Sequence, residues 1–153
     1  METYDPQKAA RVWQRVQSQQ PVSAGDADLQ ELVREEMLDA ATYAQLAGQF
    51  QGTNREKLQI MSRQEQTHIA CLKGMYTLTT GGHITIKTPQ VGKEPVQVAL
   101  RRCYGREMRS LARYEQRCND PHYGQVFSRL VEQEREHCRM ILELLGSLPM
   151  KQK

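Results

Sequence analysis

The stretch Leu58–Met75, LQIMSRQEQTHIACLKGM, puts a carboxylate and an imidazole where a buried helix seam should be apolar. Leu58, Met61, Leu72 and Met75 recur at helical spacing, and Glu65 and His68 fall on the same seam. A helix turns about 100° per residue, so residues three apart share one face, a turn apart. Both side chains can therefore reach one metal ion. The stretch Phe127–Leu144, FSRLVEQEREHCRMILEL, repeats the pattern. There Phe127, Leu130, Ile141 and Leu144 form the seam and Glu134 and His137 interrupt it. A single Glu-x-x-His is what an ordinary polar network on a helix produces. Two of them, each preceded by another mid-helix glutamate, describe a pair of metal ions inside a four-helix bundle.

Those glutamates lie on two further helical patterns. A helix starting near Ser23 or Asp26 and running to Phe50 turns Leu29, Leu32, Val33, Glu36, Ala40, Tyr43, Ala47 and Phe50 inward. Gly52 should end it, and Thr53-Asn54-Arg55-Glu56 reads as a capping box opening the next helix. That helix should stop at Gly81-Gly82. Residues 81–95, GGHITIKTPQVGKEP, contain Gly, Pro and a short β-like run. At roughly 3.3 Å per residue they reach about 50 Å, enough to return along a helix of about 37 Å. This predicts one long crossover. The third helix should run from Pro95 to Asn119, with Val96, Leu100, Cys103, Glu107, Leu111, Tyr114 and Cys118 inward. Asn119-Asp120-Pro121 is a break and a new N-cap. The fourth helix should follow to Leu145, ended by Gly146 and Pro149. Short connections make each pair of helices an antiparallel hairpin.

A repeat of placement links the halves. Glu36-x6-Tyr43 precedes Glu65-x2-His68, and Glu107-x6-Tyr114 precedes Glu134-x2-His137. The reading is an all-α protein: residues 23–148 form the bundle and residues 1–22 a helical extension. In that extension Asp5-Pro6 reads as a helix start, and Val12, Trp13 and Val16 give a short amphipathic stripe.

Composition agrees with this. Aromatic residues are only 6% and charged residues 25%, which suits helices rich in Glu, Gln, Arg, Leu and Ala. The net charge of +3 is spread rather than blocked, so no nucleic-acid face is expected. No run reaches the roughly 18 apolar residues of a membrane span, and METYDPQKAAR lacks a signal-peptide core. A cytoplasmic location is expected. Cys71, Cys103, Cys118 and Cys138 form no Cys-x-x-Cys pair and fall in predicted helices, so free thiols acting as small hydrophobes are expected.

Four glutamates and two histidines on apolar seams need charge compensation. An unpaired buried carboxylate costs several kcal/mol or takes up a proton. Two divalent cations balance four carboxylates, and carboxylate with imidazole suits iron or manganese better than thiolate-seeking ions. Glu36 and His68 should lie on one side and Glu107 and His137 on the other, with Glu65 and Glu134 bridging. Which histidine shares an ion with which terminal glutamate is left open. Asp39, one turn beyond Glu36, is a candidate extra ligand, while Glu35 should face solvent or a neighbouring helix. Tyr43 and Tyr114 are expected to orient ligand carboxylates through their hydroxyls and to handle protons or an electron. His83 and His122 should be surface residues.

The doubled Glu-x6-Tyr and Glu-x-x-His pattern resembles the ferritin-like di-iron superfamily, and within it the rubrerythrin group, over residues 26–146. The resemblance implies a ferritin-like fold with two iron ions (manganese or a mixed pair being alternatives). It implies Glu36, Glu65, His68, Glu107, Glu134 and His137 as ligands, with Tyr43 and Tyr114 supporting the ligands and the catalysis. The implied activity is reduction of hydrogen peroxide or oxygen, or oxidation of ferrous iron, in a homodimer. Ser110 stands where rubrerythrins usually carry an additional ligand glutamate, the residue linked to their ligand switching. The rubredoxin domain many of them carry is absent from this sequence, so electrons would come from a separate donor such as a rubredoxin-like protein. Other readings are an oxidase for an organic substrate, an iron-handling protein, and a non-catalytic bundle that binds a partner.

Overall fold

Four apolar seams, each broken at mid-height by acidic or imidazole side chains, bury against one another as four helices. The computed structural model describes residues 24–149 together with Pro6, Gln7 and Ala10. Those three are helical, and the rest of the expected N-terminal extension lies outside the described residues. The helices are α1 (Ala24–Ala47), α2 (Gly52–Thr80), α3 (Val96–Glu115) and α4 (Gly124–Ser147). Helices α1 and α2 form one antiparallel hairpin, α3 and α4 the other. Across the interface α1 meets α3 and α2 meets α4. Residues 82–95 carry the chain back along the bundle, as expected, so α3 runs parallel to α2. Among the described residues no strand forms. The β-like run instead buries Ile84 and packs Ile86 against the core.

The core is two apolar clusters separated by a polar layer. One end holds Leu29, Leu32, Val33, Leu72, Met75, Phe127 and Leu130. The other holds Leu46, Phe50, Leu58, Met61, Leu100, Ile141 and Leu144. Burying each such side chain contributes about 1.5–3 kcal/mol. The clusters therefore fix the hairpins against each other without help from the polar layer. A set of ion pairs, Asp28 with Arg113 and Arg117, ties the start of α1 to the end of α3.

Helix ends differ from expectation in several places. Helix α4 has its N-cap at Tyr123 rather than at Asn119-Asp120-Pro121, and it continues through Gly146 to Ser147. Helix α1 stops at Ala47, three residues short of Phe50, because the Arg55 guanidinium takes the Ala47 and Phe50 carbonyls at 3.1 and 2.8 Å. Side-chain cations commonly satisfy terminal carbonyls this way. The capping box at Thr53 does not form. The chain enters α2 through left-handed Gly52 (φ 61°), and the N-cap is Gln51 with no side-chain cap bond. Thr53 is thus inside the first turn rather than ahead of it. Helix α3 ends at Glu115, which leaves Cys118 in the following turn rather than in a helix.

The α3–α4 turn is built by Asp120, whose Oδ1 accepts from the His122 and Tyr123 amides, both at 2.8 Å. Gly124 then passes so close to the preceding chain that an added Cβ would lie 2.4 Å from the Cys118 carbonyl oxygen. That obstacle is backbone and cannot rotate away. Gly124→Ala should therefore cost about 1–3 kcal/mol, in the range of an overpacked core. The measurement is the urea midpoint at unchanged m-value; an unshifted midpoint would show that the turn yields freely.

Candidate metal centre

All six residues expected at the site are brought into the polar layer, and each is at most 1% exposed. Helix α1 supplies Glu36, α2 supplies Glu65 and His68, α3 supplies Glu107, and α4 supplies Glu134 and His137. His68 Nδ1 lies 3.3 Å from Glu36, 3.2 Å from Glu65 and 3.0 Å from Glu134. His137 Nδ1 lies 2.8 Å from Glu65, 3.3 Å from Glu107 and 3.8 Å from Glu134. Two groups of four side chains emerge, each able to offer ligand atoms within 4.8 Å of one another. One is Glu36, Glu65, His68 and Glu134; the other is Glu65, Glu107, Glu134 and His137. Glu65 and Glu134 belong to both. The pairing left open by the sequence is resolved spatially: Glu36 groups with His68, and Glu107 with His137.

His68 Nδ1 is within hydrogen-bond distance of Glu36 and Glu65, but much of the remaining layer is unpaired. Glu65 Oε1, Glu107 Oε2, both oxygens of Glu134 and Nδ1 of His137 are buried without a hydrogen-bond partner. Glu65 Oε1 and His137 Nδ1 are among them although they are 2.8 Å apart. These unpartnered atoms belong to the two converging groups, an arrangement a bound cation would satisfy. The donor set is carboxylate oxygen and imidazole nitrogen with no thiol, which fits iron or manganese. Leaving so many polar groups orphaned is otherwise costly.

The electrostatics show the same strain. Burial lowers the affinity of His68 for a proton, but the adjoining Glu134 and Glu65 carboxylates outweigh it and raise its pKa to about 10. Burial and the neighbouring Glu65 charge push the Glu134 carboxyl up to about 7. Burial pushes Glu65 upward too, yet the His137 and His68 rings hold it below the ordinary carboxylate range. Without an ion, protons and histidines carry the compensation.

The tyrosines act across the hairpins. Tyr43 of α1 donates to Glu107 Oε1 of α3 at 2.5 Å, and Tyr114 of α3 donates to Glu36 Oε1 of α1 at 2.7 Å. Burial keeps both phenols well above their ordinary pKa, so they remain donors. Asp39 does not join either group. Its carboxylate is taken by Arg106 Nε at 2.6 Å, because its side of α1 faces α3 rather than the centre. Burial raises its pKa to about 6 although Arg106 opposes the shift. Glu35 lies 3.7 Å from Arg113. Ser110 is buried, with no partner for its hydroxyl. The cysteines are unpaired, and burial pushes the Cys103 thiol up to about 12, which makes it inert. His83 and His122 are exposed.

Two polar side chains were not anticipated. His68 Nε2 bonds the Gln133 amide oxygen, and His137 Nε2 bonds the Gln64 amide oxygen at 2.7 Å. The signal was present in the sequence, where Gln-Glu-x-x-His occurs twice, at Gln64–His68 and Gln133–His137.

No protein-family model matches the chain, and no curated protein matches it. Among solved structures the chain is similar to one described as a ferritin like, diiron-carboxylate protein from Bacillus anthracis str. Ames. The TM-score is 0.57 at 22% sequence identity, over 81% of this chain and 99% of that one. The fold is therefore ferritin-like. No helix among the described residues is long and apolar enough to cross a membrane.

Proposed function

We propose that this chain is a rubrerythrin-like di-iron oxidoreductase that reduces hydrogen peroxide, with electrons from a separate donor. The observation that carries the reading is the membership of Glu65 and Glu134 in both ligand groups. Two buried carboxylates shared between two imidazole-containing groups have no other charge balance as complete as a pair of divalent ions. Glu36 and His68 would hold one ion, Glu107 and His137 the other, and Glu65 and Glu134 both.

The chemistry a ferrous pair supplies when bound is two electrons for peroxide, which with two protons becomes two waters. The chain's part is geometric and electrostatic. Tyr43 and Tyr114 hold the terminal carboxylates of Glu107 and Glu36 in fixed orientations and keep a proton at each hydroxyl beside the centre. The apolar clusters at both ends keep bulk water away, so each of these bonds acts in a low dielectric. Neither Tyr43 nor Tyr114 is exposed, so a proton lost there returns through the polar layer. Electrons would arrive from a separate rubredoxin-like protein, since the four cysteines form no Cys-x-x-Cys pair. We place the protein in the cytoplasm as a homodimer, where its unpaired thiols stay reduced.

Iron handling by a ferroxidase would use the same side chains, and the oxidant separates the two. Stopped-flow mixing of anaerobically iron-loaded protein with peroxide, and separately with oxygen, decides between them. The reading expects ligand-to-metal absorption to grow faster with peroxide. Faster growth with oxygen would favour the ferroxidase, and no redox change would leave a bundle that binds metal or partners without catalysis.

A further inference from the structure

The tie between each histidine and a glutamine is crossed. Gln64 is on α2 with His68, four residues before it, so the two are neighbours on one helix face. Gln133 stands in the same relation to His137 on α4. Each glutamine nevertheless bonds the histidine of the other helix: Gln133 to His68 Nε2, and Gln64 to His137 Nε2. The two rings stack between these bonds, with centroids 5.7 Å apart and planes inclined by 25°. Both glutamines are half-buried at the α2–α4 face, on the side of the rings away from the carboxylates.

We propose that Gln64 and Gln133 are positioning residues that make Nδ1 the ligating nitrogen of His137 and His68, each across the hairpin interface. This rests on the metal reading above. An amide oxygen only accepts, so the nitrogen facing it carries the hydrogen. In the neutral ring that binds an ion, hydrogen at Nε2 leaves the lone pair at Nδ1, and Nδ1 is the atom turned to the glutamates in both rings. The choice of amide has a reason. A carboxylate in that place would add a fifth and sixth negative charge beside four buried glutamates. A glutamine fixes ring orientation and tautomer while leaving the charge of the centre at the value two divalent ions neutralise. The crossing has a second consequence. Each ligand histidine is held by the opposite hairpin, as each terminal glutamate is held by the opposite tyrosine. Displacing one hairpin therefore disorients ligands on both.

The test uses the full chain loaded with zinc, which is diamagnetic and redox-silent. Long-range proton–nitrogen NMR reads which histidine nitrogen carries hydrogen and how fast that hydrogen exchanges with water. Wild-type protein should show Nε2–H on His68 and His137, both slow to exchange. Gln64→Met should speed exchange at His137 and leave His68 unchanged; Gln133→Met should do the reverse. Each should weaken zinc binding about 10–100-fold, as loss of a partner to a ligand histidine does. Gln64→Glu and Gln133→Glu keep an acceptor and should keep the slow Nε2–H. Equal effects on both rings from either methionine variant, or none, would overturn the proposal. If wild-type protein took up no zinc, the metal reading would fail by itself. The crossed pattern, read in the metal-free protein, would still decide the tie.

Discussion

Glu65→Ala should empty the centre of both ions, whereas Glu36→Ala should weaken only one. Glu65 contributes an oxygen to each ligand group, on the His68 side and on the His137 side. Removing it leaves three side chains for either ion and takes away a negative charge both ions share. Glu36 belongs to one group, and its loss disturbs its partners Tyr114 and His68 on that side. Glu134→Ala should behave as Glu65→Ala does, and Glu107→Ala as Glu36→Ala. The readout is metal content per chain at concentrations that fill the wild-type protein, with far-ultraviolet circular dichroism to show that the helices persist. Persistence is expected because Leu58, Met61 and Leu72 on the same helix are fully buried in clusters on either side of Glu65. A Glu65→Ala protein that kept two ions would contradict the bridging role.

Metal removal should lower the melting temperature by roughly 10–20 °C without unfolding the bundle. An ion present at about 100 times its dissociation constant stabilises the native state by about 2.7 kcal/mol per site. Two sites give about 5 kcal/mol, and for a chain of this size each kcal/mol moves the midpoint by about 2–4 °C. The metal-free protein also retains a buried Glu134 carboxyl raised to about 7 and orphaned acceptors on Glu65 and Glu107. The apolar clusters at each end are untouched by chelation, so the fold should survive. Calorimetry of loaded and chelated protein checks both parts. Complete unfolding on chelation would make the metal a folding element, and an unchanged midpoint would mean that the layer is satisfied without ions.

What the sequence made legible follows from periodicity. The inward rows of α2 and α4 were readable residue by residue because their apolar spacing brackets Glu65, His68, Glu134 and His137 on one face. The crossover was readable because Gly and Pro mark its limits and its length matches the return path. Helix ends were less so. The end of α1 is set by Arg55, reaching back from the next helix, and a capping motif at Thr53 is overruled by the left-handed turn at Gly52. Partnerships across the bundle were illegible for a related reason. Asp39 has ligand spacing, yet Arg106 on α3 takes it. Gln64 has the spacing to serve His68 on its own helix, yet it serves His137. The repeat of Gln-Glu-x-x-His would have singled out the glutamines, but only the packing of α2 on α4 assigns each to its ring.

Two ions are proposed to share Glu65 and Glu134. Mössbauer spectroscopy of the full chain after anaerobic loading with ferrous iron and oxidation by peroxide tests this sharing most directly. Two irons per chain in one magnetically coupled pair are expected. One iron per chain, or two irons without coupling, would contradict it.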